Sequence, residues 1–296
     1  MIEKPNTILV AIDFNEQALL AMRQSYNLAK LLNYEIILLY VQEQQAFVGT
    51  LFSREQDNEL AKKINIKLEN AAAEISNEAG IKVTPLVRKG KVHSTILRTA
   101  EDYNSKFIFM GTNDAQKDGM LERNLLGSNT SKVIRQSKVP VVSINGKHHY
   151  DGCRSILLPL DLTKETRQKV THAIEMARLF KSVIKIISVL WDRNDKEARI
   201  QLERQMAQVK NFISDAKIAC HSEIIEIDGD QTKLVPTILQ YAYDHQDIDL
   251  IMIMTQQENR LIEFFIGSAA QQIIRQSKIP VMSIIPKELG FSYYQF

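Results

Sequence analysis

Twelve residues in the middle of this chain come back near its end, and that repeat restricts the fold more than any other feature. Val133-Ile-Arg-Gln-Ser-Lys-Val-Pro-Val-Val-Ser-Ile144 returns as Ile273-Ile-Arg-Gln-Ser-Lys-Ile-Pro-Val-Met-Ser-Ile284, an offset of 140. Thr7-Ile-Leu-Val-Ala-Ile-Asp-Phe14 returns as Ser155-Ile-Leu-Leu-Pro-Leu-Asp-Leu162, an offset of 148, so the second copy is eight residues shorter inside. Units of a solenoid run to roughly 20 to 50 residues and lean on their neighbours, whereas a repeat this long can bury a core of its own. The 296 residues are therefore expected to form two domains, 1–147 and 153–296, joined near His148 to Gly152.

Inside each copy, short apolar runs alternate with helical stripes, the pattern of a parallel sheet covered by helices. The first copy reads as strands near 7–13, 35–41, 82–88, 106–111 and 139–144, with helices near 16–33, 54–79, 92–104 and 127–137. Ala18, Met22, Ser25, Ala29 and Leu32 form one such stripe, and Val170, Ala173, Ala177 and Phe180 its counterpart. Strands of the second copy are expected near 155–161, 183–190, 221–227, 249–254 and 280–285, with four helices between them. Phe107 to Met110 and Leu250 to Met254 are continuous apolar runs, as strands buried on both faces should be. The fold class expected is α/β, two tandem copies of a five-stranded parallel sheet with helices on both faces.

The charge balance narrows the partners. With 37 basic and 35 acidic residues the net charge is +2, spread along the chain, and no basic footprint for nucleic acid stands out. The two cysteines, Cys153 and Cys220, suggest neither a disulfide framework nor a zinc knuckle. No apolar run approaches the length of a membrane span or a signal-peptide core, so the expectation is a cytoplasmic protein with no membrane partner.

In an open parallel sheet, ligands sit beyond the carboxyl ends of the strands. There the first copy places Asp13 after strand one, Val41 at the end of strand two, and Met110-Gly111-Thr112-Asn113-Asp114 after strand four. Gly127-Ser128-Asn129-Thr130 opens the last helix, whose free N–H groups and positive dipole end suit an anion.

These residues resemble the universal stress proteins, which end strand one in an aspartate and carry Gly-x2-Gly-x9-Gly-Ser/Thr before the last helix. The resemblance covers nearly the whole chain, twice, and implies a Rossmann-like adenine-nucleotide-binding fold. It also implies that Asp13 and Val41 face a nucleoside, while Met110, Gly111, Gly127, Ser128, Asn129 and Thr130 line the rest of the site. The first copy departs from the motif at Asp114, which stands at the second glycine, twelve residues before Gly127. A carboxylate there repels phosphate unless a divalent cation lies between them, so ATP would come with Mg²⁺. The second copy keeps the spacing but reads Met254-x2-Gln257-x9-Gly267-Ser268, followed by Ala269 and Ala270. Side chains at the glycine positions block close approach, so ATP is expected in the first copy alone. Resemblance further implies that Val139–Ile144 and Ile279–Ile284 pair, making an internal pseudo-dimer; a homodimer or a protein partner is the other expectation.

Plainer roles compete for the same residues. Asp13 and its counterpart Asp161 could simply cap the first helices, and Ser128 and Ser268 the last ones. His148, His149, Asp151 and Cys153 lack the paired spacing of a zinc site, and His93, His172, His221 and His245 have no evident catalytic partner. Gly-x4-Gly-Lys-Ser/Thr is absent, so P-loop chemistry is not expected. Three readings of function stand: a non-enzymatic stress-response or regulatory protein holding an adenine nucleotide, a slow ATPase using Asp114 to hold metal, and an interaction module recruiting a partner through its surface or the aromatic tail Phe291–Phe296.

Overall fold

Strands of near-unbroken apolar sequence can only be sheltered between two helical layers, and both copies fold that way. The computed structural model describes residues 5–43, 54–112, 127–146, 152–160, 166–227, 231–255 and 268–285. Asp114, Asp161, Gln257, Gly267, His148, His149, Asp151 and the tail Phe291–Phe296 lie outside the described residues. The chain divides into two units whose bodies are Met1–Gly152 and Cys153–Ile273.

The first unit runs β1 (Thr7–Ala11), α1 (Glu16–Leu32), β2 (Glu35–Gln42), α2 (Arg54–Ala79), β3 (Val83–Lys89), α3 (Val92–Asp102), β4 (Ser105–Gly111), α4 (Ser128–Gln136) and β5 (Val141–Ile144). Its strand order is β3-β2-β1-β4-β5, and the paired strands are parallel. The chain winds outward from β1 to β3, then crosses back to β4 on the other side. A crevice opens where the direction of winding reverses, at the carboxyl ends of β1 and β4. Helix α1 packs beside α2, and α3 beside α4. Ile8, Leu9 and Val10 are all fully buried, as are Ile36 and Leu38, because both sheet faces are covered.

The second unit repeats this with β6 (Ser155–Pro159), α5 (Thr166–Phe180), β7 (Val183–Leu190), α6 (Lys196–Asp215), β8 (Cys220–Glu226), a 3₁₀ turn (Gln231–Lys233), α7 (Leu234–Asp244), β9 (Ile248–Met254), α8 (Ser268–Gln276) and β10 (Val281–Ile284). Its strands lie in the equivalent order, β8-β7-β6-β9-β10. Asn33 and Lys181, one offset of 148 apart, both close the first helix of their unit in left-handed backbone, φ 54° and 58°.

The best-repeated string has a structural explanation. Ser137 accepts from the Val139 N–H at 3.2 Å and donates to the Val139 carbonyl at 2.6 Å; Ser277 does the same with Ile279, at 3.0 and 2.7 Å. This side-chain clasp shapes the turn into the last strand, which starts after the proline, at Val141 and Val281, rather than at 139 and 280. At the amino ends of the central strands the units have diverged. Thr7 and Ser105 hydroxyls meet at 2.8 Å in the first. In the second, Arg154 grips the buried Asp249 carboxylate with three N–H groups at 2.7 to 3.0 Å. Beside it, Asp247 accepts from Ser155 at 2.6 Å and from Lys185 at 2.7 Å. Burial alone would raise the Asp247 pKa, but the hydrogen bonds from Lys185 and Ser155 outweigh it and hold the carboxyl down to about 2.

Candidate functional site

The turn after β1 sets the first side of the crevice. Ile12 N–H still bonds to the Leu39 carbonyl at 2.9 Å, and the chain then leaves the sheet through Phe14, whose φ is 64°. A bulky residue in left-handed backbone costs on the order of 1 kcal/mol and persists only where its surroundings hold it. Here the Phe14 ring stacks on Tyr40 at 5.9 Å, and the Lys67 ammonium lies 4.3 Å from its centroid. The turn leaves Asp13 exposed at the mouth of the crevice. Capping falls to a different residue from the one expected: Asn15 accepts from the Ala18 N–H at 2.8 Å and is the N-cap of α1. Asp13 instead steadies that cap, accepting from the Asn15 N–H at 3.1 Å and from its amide Nδ2 at 2.7 Å.

Strand β4 forms the second side. A Cβ on Gly111 would lie 2.5 Å from the Ala18 nitrogen, so glycine is required there by the approach of α1 to the strand. Ligand access is thus not the first reason for this glycine. The residue after it was not singled out from sequence, yet Thr112 bonds the Ile144 carbonyl through both N–H (2.8 Å) and Oγ1 (3.2 Å). Thr255 repeats this on Ile284 at 2.9 and 3.2 Å, fixing where the chain departs from the sheet in each unit.

The third side is the start of α4. Gly127 is its N-cap and supplies no side-chain bond, which leaves the first-turn N–H groups without the usual capping oxygen. His93 and two lysines not singled out from sequence gather beside it. His93 at the start of α3 is hydrogen-bonded to Asn129, and its pKa is lowered by burial first, then by the charges of Lys132 and Lys91. A lysine at a helix N-terminus opposes the macrodipole, and Lys91, the N-cap of α3, could have been noticed on that ground.

These walls enclose a cavity of about 220 Å³. Asp13, Val41, Met110, Gly111, Gly127, Ser128, Asn129 and Thr130 all line it, joined by Ile12, Leu39 and Ile96. Eight residues drawn from four separated stretches of sequence therefore meet at one place. Asp114, the ninth, lies outside the described residues. Among the described residues no cluster of His, Cys, Asp and Glu is suited to a metal ion, and no helix is long and apolar enough to cross a membrane.

The equivalent crevice of the second unit is built differently. Leu160, Val189, Met254, Ala269 and Ala270 stand where the first unit has Ile12, Val41, Gly111, Asn129 and Thr130, and they border a cavity of about 460 Å³.

The family model for the universal stress protein family matches residues 5–145 and again 152–284. The chain belongs to the universal stress protein family. It is a tandem member, with two such domains in one chain. Universal stress protein MJ0577 of Methanocaldococcus jannaschii is 31% identical over 157 residues, which span 48% of this chain and 95% of that protein. Universal stress protein MJ0531 of the same organism is 30% identical over 139 residues, 46% of this chain and 80% of that protein. A universal stress protein from Archaeoglobus fulgidus DSM 4304 has the same fold, with a TM-score of 0.73 at 21% identity over 95% of this chain and 97% of its own.

Proposed function

We infer that the first domain of this universal stress protein binds an adenine nucleotide, ATP with Mg²⁺ being the leading candidate, and that the protein acts as a non-enzymatic stress-response sensor in the cytoplasm. The observation carrying this reading is the order of chemistry along the first crevice. Ile12, Leu39, Val41, Ile96 and Met110 form an apolar slot, Asp13 stands at its mouth, and the uncapped start of α4 follows with Lys91, Lys132 and His93 nearby. A flat base suits the slot, sugar hydroxyls can donate to the carboxylate, and phosphates suit the helix N-terminus and its basic rim. At about 220 Å³ the cavity is smaller than the roughly 300 to 1,000 Å³ of sites that engulf a whole ligand. The reading accordingly buries the nucleoside end and leaves the phosphates at the rim.

Calorimetric titration of ATP and of adenosine, with and without Mg²⁺, tests it. ATP is expected to bind more tightly than adenosine, and Lys132→Ala to weaken ATP about tenfold while leaving adenosine unchanged. Equal weakening of both ligands would overturn the phosphate assignment. Sustained phosphate release that disappears in Asp114→Ala would overturn the non-enzymatic part.

A further inference from the structure

The outermost strands of the two units, β3 and β8, hold the same place in the fold but finish their open edges differently. In the first unit the Ile36 N–H bonds the Lys82 carbonyl at 3.0 Å, and the Gly90 N–H bonds the Gln42 carbonyl at 3.1 Å. With Ile36 opposite Val83 and Gln42 opposite Lys89, the even-numbered residues of β3 turn their backbone groups toward β2 and the odd-numbered ones turn theirs outward. Pro85 is one of the outward residues, so its missing N–H costs the ladder nothing and blunts the edge at its middle.

In the second unit the Ile184 N–H bonds the Ala219 carbonyl and the Ile227 N–H bonds the Leu190 carbonyl, both at 2.9 Å, with Ile184 opposite Cys220 and Leu190 opposite Glu226. Cys220, Ser222, Ile224 and Glu226 therefore present their N–H and C=O groups outward. Ser222 lies opposite Ile186 and Pro85 opposite Leu38, and Leu38 and Ile186 are counterparts at the offset of 148. The donor that proline removes from the first edge is thus present in the second. His221, Ser222 and Glu223 are exposed, whereas Pro85 and its neighbours in β3 are half-buried. Among the described residues no strand lies beyond β8.

The exposed centre of β8 is complementary to itself. Two copies turned antiparallel about Ser222 set Ser222 against Ser222, which exchange two N–H to C=O bonds, and set His221 of each against Glu223 of the other. Those flanking positions form the closer kind of cross-strand pair, with Cα atoms about 4.5 Å apart, so an imidazole N–H can donate to a carboxylate on each side of the axis. Glu223 is already hydrogen-bonded to the Tyr241 hydroxyl, and its second oxygen can accept from the histidine. Centring the pair on Glu223 instead would oppose two carboxylates, so charge selects the register about Ser222. We propose that the second domain carries a self-association edge, at which two copies of the chain join β8 to β8 antiparallel about Ser222, while Pro85 keeps the outer edge of the first domain unpaired. This pairing does not depend on nucleotide binding. Its paired stretch is short, so the dimer is weak and concentration-dependent.

Sedimentation velocity on the whole chain, from micromolar to millimolar protein, should show a monomer–dimer equilibrium, and amide exchange should slow at Ser222 and Ile224 in the dimer. Ser222→Pro should leave monomer alone with an unchanged circular dichroism spectrum, because that N–H has no place in the ladder with β7. If this variant unfolds, the charge pair carries the test. His221→Glu, an exposed change, should weaken the dimer about tenfold by opposing two carboxylates, and adding Glu223→Lys should restore it. A protein monomeric at every concentration, a dimer that persists in folded Ser222→Pro or is indifferent to His221→Glu, or a double variant no tighter than His221→Glu alone would overturn the proposal.

Discussion

Asp13 and Asn15 lie two positions apart and divide the work of the first turn. Asn15 caps α1, while Asp13 lines the crevice and accepts from Asn15 through both carboxylate oxygens. Asn15→Ala should therefore cost about 1 kcal/mol of stability in urea unfolding. Asp13→Ala should cost clearly less, yet weaken nucleotide binding about tenfold or more by calorimetry. The opposite ranking would return Asp13 to a purely structural role. His93 gives a second test at this scale. Burial first, and then Lys132 and Lys91, hold its pKa below the usual 6.5 despite the bond to Asn129, so in the free protein it is mostly neutral near pH 7. A bound phosphate offsets both lysine charges and favours the protonated ring. The His93 midpoint, followed by NMR, should rise when ATP is added, and binding should take up protons just below neutral pH. A midpoint that does not move would place the phosphates elsewhere.

Among the elements, the strand ends that face away from the crevice carry much of the second unit's polar interior. The Asp249 side chain on β9 is 3% exposed and depends on Arg154 beside β6. Arg154→Ala leaves that carboxylate buried without its cation, and should lower stability by roughly 3 kcal/mol in urea unfolding. The double change Arg154→Ala with Asp249→Ala should recover part of the loss. Both the strands and the helices were legible in sequence because their apolar periods are strong: α2 spans residues 54–79 as expected, and the buried face of α1 includes Ala18, Met22, Ser25 and Ala29. Leu28 joins the buried face, while Leu32, the last residue of the helix, is only half-buried. Eight of the nine candidate residues border one cavity, a placement legible in sequence because strand ends and helix starts can be located from the same periods. The left-handed Phe14, the cap at Asn15, the clash that requires Gly111 and the gathering of His93 with Asn129 were not legible. Each depends on backbone torsion or on contacts between distant segments, which a linear pattern does not encode.

Across the whole molecule, duplication has preserved the scaffold and changed the chemistry. The Thr112 and Thr255 locks, the Ser137 and Ser277 clasps, and the strand order are the same in both domains. The crevices are not: one is small and edged with basic groups, the other larger and apolar. Such a pair predicts a nucleotide stoichiometry set by one domain. The central claim is tested most directly by counting adenine nucleotide per chain, first as released on denaturing freshly purified protein and then by titrating ATP with Mg²⁺ into wild type and Gly127→Val. Gly127 has negative φ, −46°, so no left-handed backbone forces glycine there, and circular dichroism of the variant separates loss of the phosphate seat from loss of the fold. The account predicts about one nucleotide per chain in the wild type and none in the variant. Two per chain, no binding at millimolar ATP, or undiminished binding in Gly127→Val would contradict it.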